Sequence, residues 1–155
     1  MVPLLGGLAI RDINAEETQT LGYFSPKQHD NGEYLIQSSY SFVDESNRLV
    51  CPTNNNHVLM LKATDEDGNV LPEFEKVLDI DIKAAAEAAL GKTLDQNLLA
   101  VVFDYEGNLW FATGGFRIYP DRKQQGAMGY ISRTAIDAIL NGEETDLSED
   151  RKSVV

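Results

Sequence analysis

A polar cluster near the middle of the chain carries the residue types best suited to ligand chemistry. Asn54, Asn55, Asn56 and His57 follow one another directly. Amide oxygens and an imidazole can line a ligand site, and the same atoms can contribute to a divalent metal site. The alternative is a turn in which asparagine takes positive φ and bonds to its own backbone. We name these four residues as candidate ligand-binding residues and keep both interpretations open.

Acidic residues offer a second kind of chemistry. Asp44 and Asp104 could form a pair of catalytic carboxylates, and Asp65 with Asp67 could begin a calcium loop. An EF-hand loop also needs further oxygen ligands and a glutamate at fixed spacing, which this segment lacks. Aspartates at such positions bond to the amides of turns. We therefore predict that all four are structural.

Nucleophilic chemistry has little support. The single cysteine, Cys51, lies inside a predicted strand, where free cysteine packs as a small apolar residue. No Ser-His-Asp or Cys-His arrangement has local support in the sequence. The sequence assigns no catalytic residue, and it leaves open whether the protein is an enzyme.

A repeat of 60 residues organises the elements that would position these side chains. Two segments, 40–62 and 99–119, share a plan of apolar strand, acidic turn, strand, break and strand. The aligned pairs are Asp44 with Asp104, Leu49 with Leu109, and Thr53 with Thr113. Within the second copy, Leu109 and Phe111 alternate with Trp110 and Ala112, which predicts that both faces of this strand are at least partly buried.

The rest of the chain is predicted to be mostly strands joined by turns, with two helices. Alanine-rich residues 82–90 form the clearest helix, capped by Asp79 or Asp81 and ended by Gly91. A second helix covers 133–140 after Ser132. Predicted strands cover residues 8–12, 18–24, 39–43, 48–52, 57–63, 74–78 and 127–131, besides those of the second copy.

These repeats resemble β-propeller blades. The first copy is similar to an NHL-type repeat, and the second, with Asp-x-x-Gly-Asn-Leu-Trp-Phe-Ala-Thr, is similar to blades of gluconolactonase-like and sensor-kinase propellers. The combination resembles a set of bacterial propeller proteins over residues 6–142. The resemblance implies an all-β fold of antiparallel blades, about two and a half of six, with two helical insertions. A six-bladed ring at this spacing needs about 360 residues, so we predict a fragment of a longer chain.

The resemblance also implies where a ligand would bind. Propellers of this kind bind ligands at one end of the central channel, on loops that correspond here to 54–57, 114–115 and 79–96. Gly114 and Gly115 thereby join the candidate ligand-binding residues, although they are not a phosphate loop, because no GK[ST] continuation follows. Gluconolactonase-like enzymes hold a metal such as calcium on the channel axis, where it activates water and polarises a carbonyl.

The charge of the chain limits its partners. The net charge is −12, and 43% of residues are hydrophobic. An acidic chain without a basic patch is repelled by nucleic acid and by anionic membranes, so we predict neither as a partner. No intrinsic cofactor is evident, and the sequence indicates no cellular compartment.

Our sequence-based interpretation is a partial propeller over residues 1–149. Its parts are a blade remnant at 6–24, a full blade at 34–78 and a further blade at 98–142. Residues 150–155 resemble a translated sequencing adapter, and we predict that they are not native. The predicted function is a non-catalytic segment that binds a small molecule or a protein, with the remaining blades of the same propeller as partners. The alternative is part of a metal-dependent gluconolactonase-like hydrolase.

Overall fold

The computed structural model describes residues 7–25, 36, 40–94, 97–114 and 126–147. The described part is mostly β, with two helices, as the sequence predicts. It divides into two compact units. Unit 1 comprises the described residues of Met1–Asn55 and Leu59–Asp79, and unit 2 comprises those of Asn56–Val58 and Ile80–Val155.

A curled, mixed six-stranded sheet contains the strands of the first half of the chain. Its strands are β1 (Leu8–Asp12), β2 (Gln19–Phe24), β3 (Phe42–Val43), β4 (Arg48–Pro52), β5 (His57–Thr64) and β6 (Val70–Asp81), in the spatial order β1-β2-β6-β5-β4-β3. Both β1 with β2 and β3 with β4 are antiparallel pairs. A single parallel bridge, Tyr23 to Glu73, joins β2 to β6.

Gly22 explains how β2 can lie so close to β6. A Cβ atom at this position would lie 1.9 Å from the backbone oxygen of Leu71 and 2.8 Å from the Val70 side chain. Only glycine permits this approach without a backbone shift. The β1–β2 hairpin is therefore held in the same sheet as the strands of the first repeat copy.

The core of unit 1 is a cluster of seven side chains that are at most 9% exposed. They are Phe24, Ile36, Cys51, Leu59, Leu61, Ala63 and Phe74. The central strand β5 is buried continuously from Val58 to Leu61, which is typical of a strand with both faces covered. Burying each large side chain contributes about 1.5–3 kcal/mol relative to leaving it in water.

A three-stranded antiparallel sheet and both helices belong to unit 2. Its elements are α1 (Ile82–Leu90), β7 (Asn97–Phe103), β8 (Leu109–Gly114), β9 (Met128–Ile131) and α2 (Arg133–Leu140), with β8 in the centre of the sheet. Asp81 caps α1 by accepting a hydrogen bond from the Ala84 amide, and Gly91 ends it in the left-handed region. Ser132 caps α2 in the same way. Both helices have the bounds that the sequence predicts.

Three turns of one design join neighbouring strands. They begin at Asp44, Asp65 and Asp104, and in each the Oδ1 atom accepts hydrogen bonds from the amides two and four residues later. The third residue after each aspartate has positive φ. These residues are Asn47 (58°), Gly68 (84°) and Gly107 (83°). The predictions of positive φ at Asn47 and Gly107, and of structural roles for Asp44 and Asp104, are confirmed.

Strand β6 is longer than the predicted strand at 74–78. The alternation of buried residues continues beyond Leu78 to Ile80, which is 4% exposed, and the strand ends only at the helix cap Asp81. Because aspartate is a typical helix cap, Asp79 and Asp81 indicated a helix start in the sequence. The two-residue alternation of buried side chains instead continues the strand as far as Asp81. The third strand predicted for the second copy, beyond Gly114, lies outside the described residues.

Candidate functional site

The polar cluster forms the connection between β4 and β5. In unit 1, Thr53 is fully buried, and its hydroxyl donates a hydrogen bond to Asn55 Oδ1 at 2.6 Å. The side chain of Asn54 is exposed. The amide oxygen of Asn55 is therefore used to shape the connection, as the turn interpretation expects.

Asn56 belongs to unit 2 and connects the start of β5 to two other elements. Its backbone has φ 73°, the positive value that the turn interpretation expects of an asparagine. Its side-chain Oδ1 accepts a hydrogen bond from the Leu98 amide at 2.8 Å, and its backbone oxygen accepts one from the Ile82 amide at 3.0 Å. Asn56 thus fixes the starts of α1 and β7 beside the start of β5.

His57 faces a carboxylate at the first turn of α1. Its Nε2 atom lies 3.7 Å from Asp81 Oδ2, and the two side chains are 22% and 44% exposed. Asp81 is held in place because its Oδ1 atom caps the helix. A carboxylate beside an imidazole can orient the ring. The sequence interpretation missed this pair because it depends on β5 and β6 lying side by side, which no local pattern shows.

Gly114 lies in the same region of unit 2. It is the last residue of β8 and is paired with Asn97, while its neighbour Thr113 is paired with Leu98, the residue bonded to Asn56. Hydrogen bonds thus link Asn56 to Ile82 of the 79–96 segment and to Leu98, whose partner strand ends at Gly114. Gly115 lies outside the described residues.

Oxygen atoms at this connection are already engaged by protein donors, and the predicted metal site stays a prediction from the sequence. The Oδ1 atoms of Asn55, Asn56 and Asp81 each accept a hydrogen bond from the protein. Across the described ranges, no group of three or more histidine, cysteine, aspartate or glutamate side chains is arranged to hold a metal ion. We therefore derive no catalytic step through a metal at this position.

Hydrogen bonds hold the pKa of the Asp104 carboxylate well below its ordinary value. Its Oδ2 atom accepts hydrogen bonds from Asn108 Nδ2 at 2.9 Å and from the Trp110 indole at 2.8 Å. These two bonds lower the pKa of Asp104 to about 2. In the corresponding turn, a hydrogen bond from the Asn69 side chain lowers the pKa of Asp65. Because hydrogen bonds that hold the turns and the Trp110 ring account for both shifts, neither shift indicates catalysis.

Cys51 is buried in the core of unit 1. The side chain is fully inaccessible, and its burial raises the pKa of the thiol to about 11. A thiol that is neutral and inaccessible near pH 7 is a poor nucleophile. The prediction of a buried structural thiol is confirmed.

The sheet of unit 2 is apolar on both faces. On one face, Val101, Leu109, Phe111 and Ile131 are at most 7% exposed. The strand register places the following six side chains on the other face, which we call the open face: Ala100, Val102, Trp110, Ala112, Met128 and Tyr130. Val102 and Met128 are 59% and 47% exposed, and the other four are half-buried.

Two aromatic rings give the open face its centre. The ring centroids of Trp110 and Tyr130 lie 5.0 Å apart, with planes inclined at 40°, which is a favourable separation for an aromatic pair. The indole nitrogen is held by Asp104, so the Trp110 ring has a fixed orientation. The open face therefore has an aromatic pair at its centre and no charged side chain among its six residues.

Comparison with protein-family models, curated proteins and solved structures found no match for this chain. Neither helix in the described part of the chain is long and apolar enough to cross a membrane.

Proposed function

We propose that this chain is a non-catalytic, propeller-like segment that binds a protein through the open face of its second sheet. The proposal treats β3–β6 and β7–β9 as successive blades. Strands β6, β5, β4 and β3 are neighbours in that order, as in a four-stranded meander. The equivalent turns at Asp44 and Asp104, 60 residues apart, support the same assignment.

The open face is the observation that carries this proposal. An antiparallel sheet with one face in water normally has polar residues on that face. Here the six residues of the open face include no charged side chain, in a chain with net charge −12. Exposed apolar surfaces of this kind mark contacts with another protein surface. A further sheet packed on this face would cover Val102 and Met128 as the blades of a propeller cover one another.

The first test is the association state of the chain in solution. We expect sedimentation velocity to show association that increases with protein concentration, because Val102 and Met128 of the open face are exposed in the part of the chain that the structure describes. The double variant Val102→Lys/Met128→Lys should shift the chain to monomer. The matched control Ile13→Lys/Leu21→Lys changes two other exposed apolar residues, 87% and 43% exposed, with the same change in charge, and should associate as the original chain does.

Two outcomes would contradict the proposal. A stable monomer at every concentration would show that the open face needs no cover. Equal loss of association in both double variants would show that the added charge, and not the open face, controls association. The metal-dependent hydrolase stays a prediction from the sequence, because no arrangement of the described residues favours it.

A further inference from the structure

The curled sheet of unit 1 has an apolar groove between its two outermost strands. The spatial order of the sheet ends with β1 on one side and β3 on the other. Leu8, Ala9 and Ile10 of β1 line the same cavity as Phe42 and Val43 of β3. The cavity has a volume of about 260 Å³. We call it the edge groove, and it is independent of the open face and of the proposed function.

The backbone of β1 offers one side of the edge groove for strand pairing. Among the described strands, β1 is paired with β2 alone. The pairing is regular from Leu8 to Ile10 and shifts between Ile10 and Arg11. The regular stretch is therefore the same three residues that line the groove. An outermost strand with a regular backbone can accept a further strand from another chain.

The size and lining of the edge groove suit the side chains of a peptide. Phe74, which is fully buried, contributes to the lining, and the lining includes no charged residue. A volume of 260 Å³ is below the range of about 300–1,000 Å³ that is usual for drug-sized ligands. It suits two or three apolar side chains from one face of an extended segment, since alternate side chains of a strand share a face.

The net negative charge of unit 1 as a whole selects the sign of the partner. Among its described residues, unit 1 has eleven carboxylate side chains and four cationic ones. This excess of negative charge repels fatty acids and acidic peptides, and it attracts peptides that carry lysine or arginine. We propose that the edge groove binds an extended apolar peptide segment flanked by basic residues, which adds a strand beside β1.

Fluorescence anisotropy with a defined peptide tests this proposal. The probe is fluorescein-labelled Lys-Val-Thr-Val-Thr-Val-Lys, measured with the full chain. We expect saturable binding that weakens at least about fivefold when both lysines are replaced by glutamate. Replacing the central valine by proline should weaken binding about tenfold, because proline removes a backbone donor and disfavours strand pairing.

A pair of matched variants locates the binding site. Val43 is 58% exposed and lines the groove, whereas Leu21 is 43% exposed and does not. Val43→Arg should weaken peptide binding about tenfold, and Leu21→Arg should leave it within about twofold. Equal binding of the peptide by the two variants would overturn the proposal. Equal binding of the valine and proline peptides by the original chain would also overturn it, and this comparison does not depend on the folding of any variant.

Binding and association measurements with the same chain and variants distinguish two other possible occupants of the edge groove. Saturable binding of 1-octanol without any binding of the peptide would overturn the proposal in favour of a small-molecule cavity. Dimerisation that Val43→Arg abolishes, with no peptide binding to the monomer, would overturn it in favour of a second copy of the chain.

Discussion

At the scale of single residues, the turn aspartates show how one side chain determines a local structure. Asp44, Asp65 and Asp104 each satisfy two turn amides with one oxygen. Asp104 also holds Trp110, and thereby connects a turn to the open face. Its role is that of a positioning residue, because its two oxygens are occupied by protein donors.

The lowered pKa of Asp104 predicts a specific dependence of stability on acid. A carboxylate whose pKa is lower in the folded state than in the unfolded state stabilises the fold fully at pH values above its unfolded-state pKa. That contribution is lost as the pH falls through its folded-state pKa. The loss should therefore extend from the ordinary value of 3.8 down to about 2. We expect urea titrations followed by circular dichroism to show a shallower pH dependence in this interval for Asp104→Asn. Trp110→Phe removes one of the two hydrogen bonds that lower this pKa, and its free energy of unfolding should change with pH at an intermediate slope. If both variants have the same slope as the original chain, this account is contradicted.

Gly107 and Gly68 provide a matched test of backbone strain and side-chain contact. Both glycines have positive φ in equivalent turns. A Cβ atom at Gly107 would lie 3.0 Å from Arg133 Cδ, whereas a Cβ atom at Gly68 would have no atom within 4 Å. Left-handed backbone costs a residue with a side chain about 1–2 kcal/mol. We expect Gly68→Ala to lower the free energy of unfolding by that amount and Gly107→Ala to lower it further. Equal losses in urea titrations would show that Arg133 moves aside without cost, and an unchanged stability would contradict the positive φ.

At the scale of secondary structure elements, local patterns in the sequence were sufficient for the helices and turns and insufficient for the long-range pairs. The caps of α1 and α2 lie next to the helices they begin, so the bounds of both helices could be predicted. The bridge of Tyr23 to Glu73 and the approach of His57 to Asp81 join distant residues. Each depends on which strands become neighbours, a tertiary choice that residue types alone do not determine. The candidate residues Asn56 and Gly114 were predicted to share a region only through the resemblance to propellers.

Gly22 makes the pairing of β2 with β6 testable. Alanine at this position would place its Cβ 1.9 Å from the Leu71 oxygen and 2.9 Å from the Phe74 ring, so the strands would have to separate. We expect Gly22→Ala to lower the free energy of unfolding by at least about 2 kcal/mol, as overpacking of a close contact does. The control is Gly114→Ala, whose Cβ would meet Leu99 at an ordinary 3.5 Å and should change stability by less than about 0.5 kcal/mol. Similar values for the two variants in urea titrations would contradict the close approach of β2 to β6.

At the scale of the whole molecule, two strands contribute residues to both compact units. The first two residues of β5 belong to unit 2 and the rest to unit 1, and β6 passes from unit 1 to unit 2 after Asp79. If either unit unfolds, β5 and β6 therefore lose their order at one end, while their other ends still belong to the folded unit. This continuity favours a single cooperative transition, although each unit has its own buried side chains.

The single cysteine and the single tryptophan report on the two units separately, because Cys51 lies in unit 1 and Trp110 in unit 2. In urea, we expect the exposure of Cys51 to a thiol reagent and the fluorescence of Trp110 to change with the same midpoint, since the shared strands couple the two cores. Without urea, Cys51 should react only through rare unfolding, as it is fully buried. The double variant Val102→Lys/Met128→Lys serves as the control, because we expect it to be monomeric and therefore to lack any coupling that arises between chains. Separate midpoints in that variant would show that β5 and β6 can lose their order in one unit while the other stays folded.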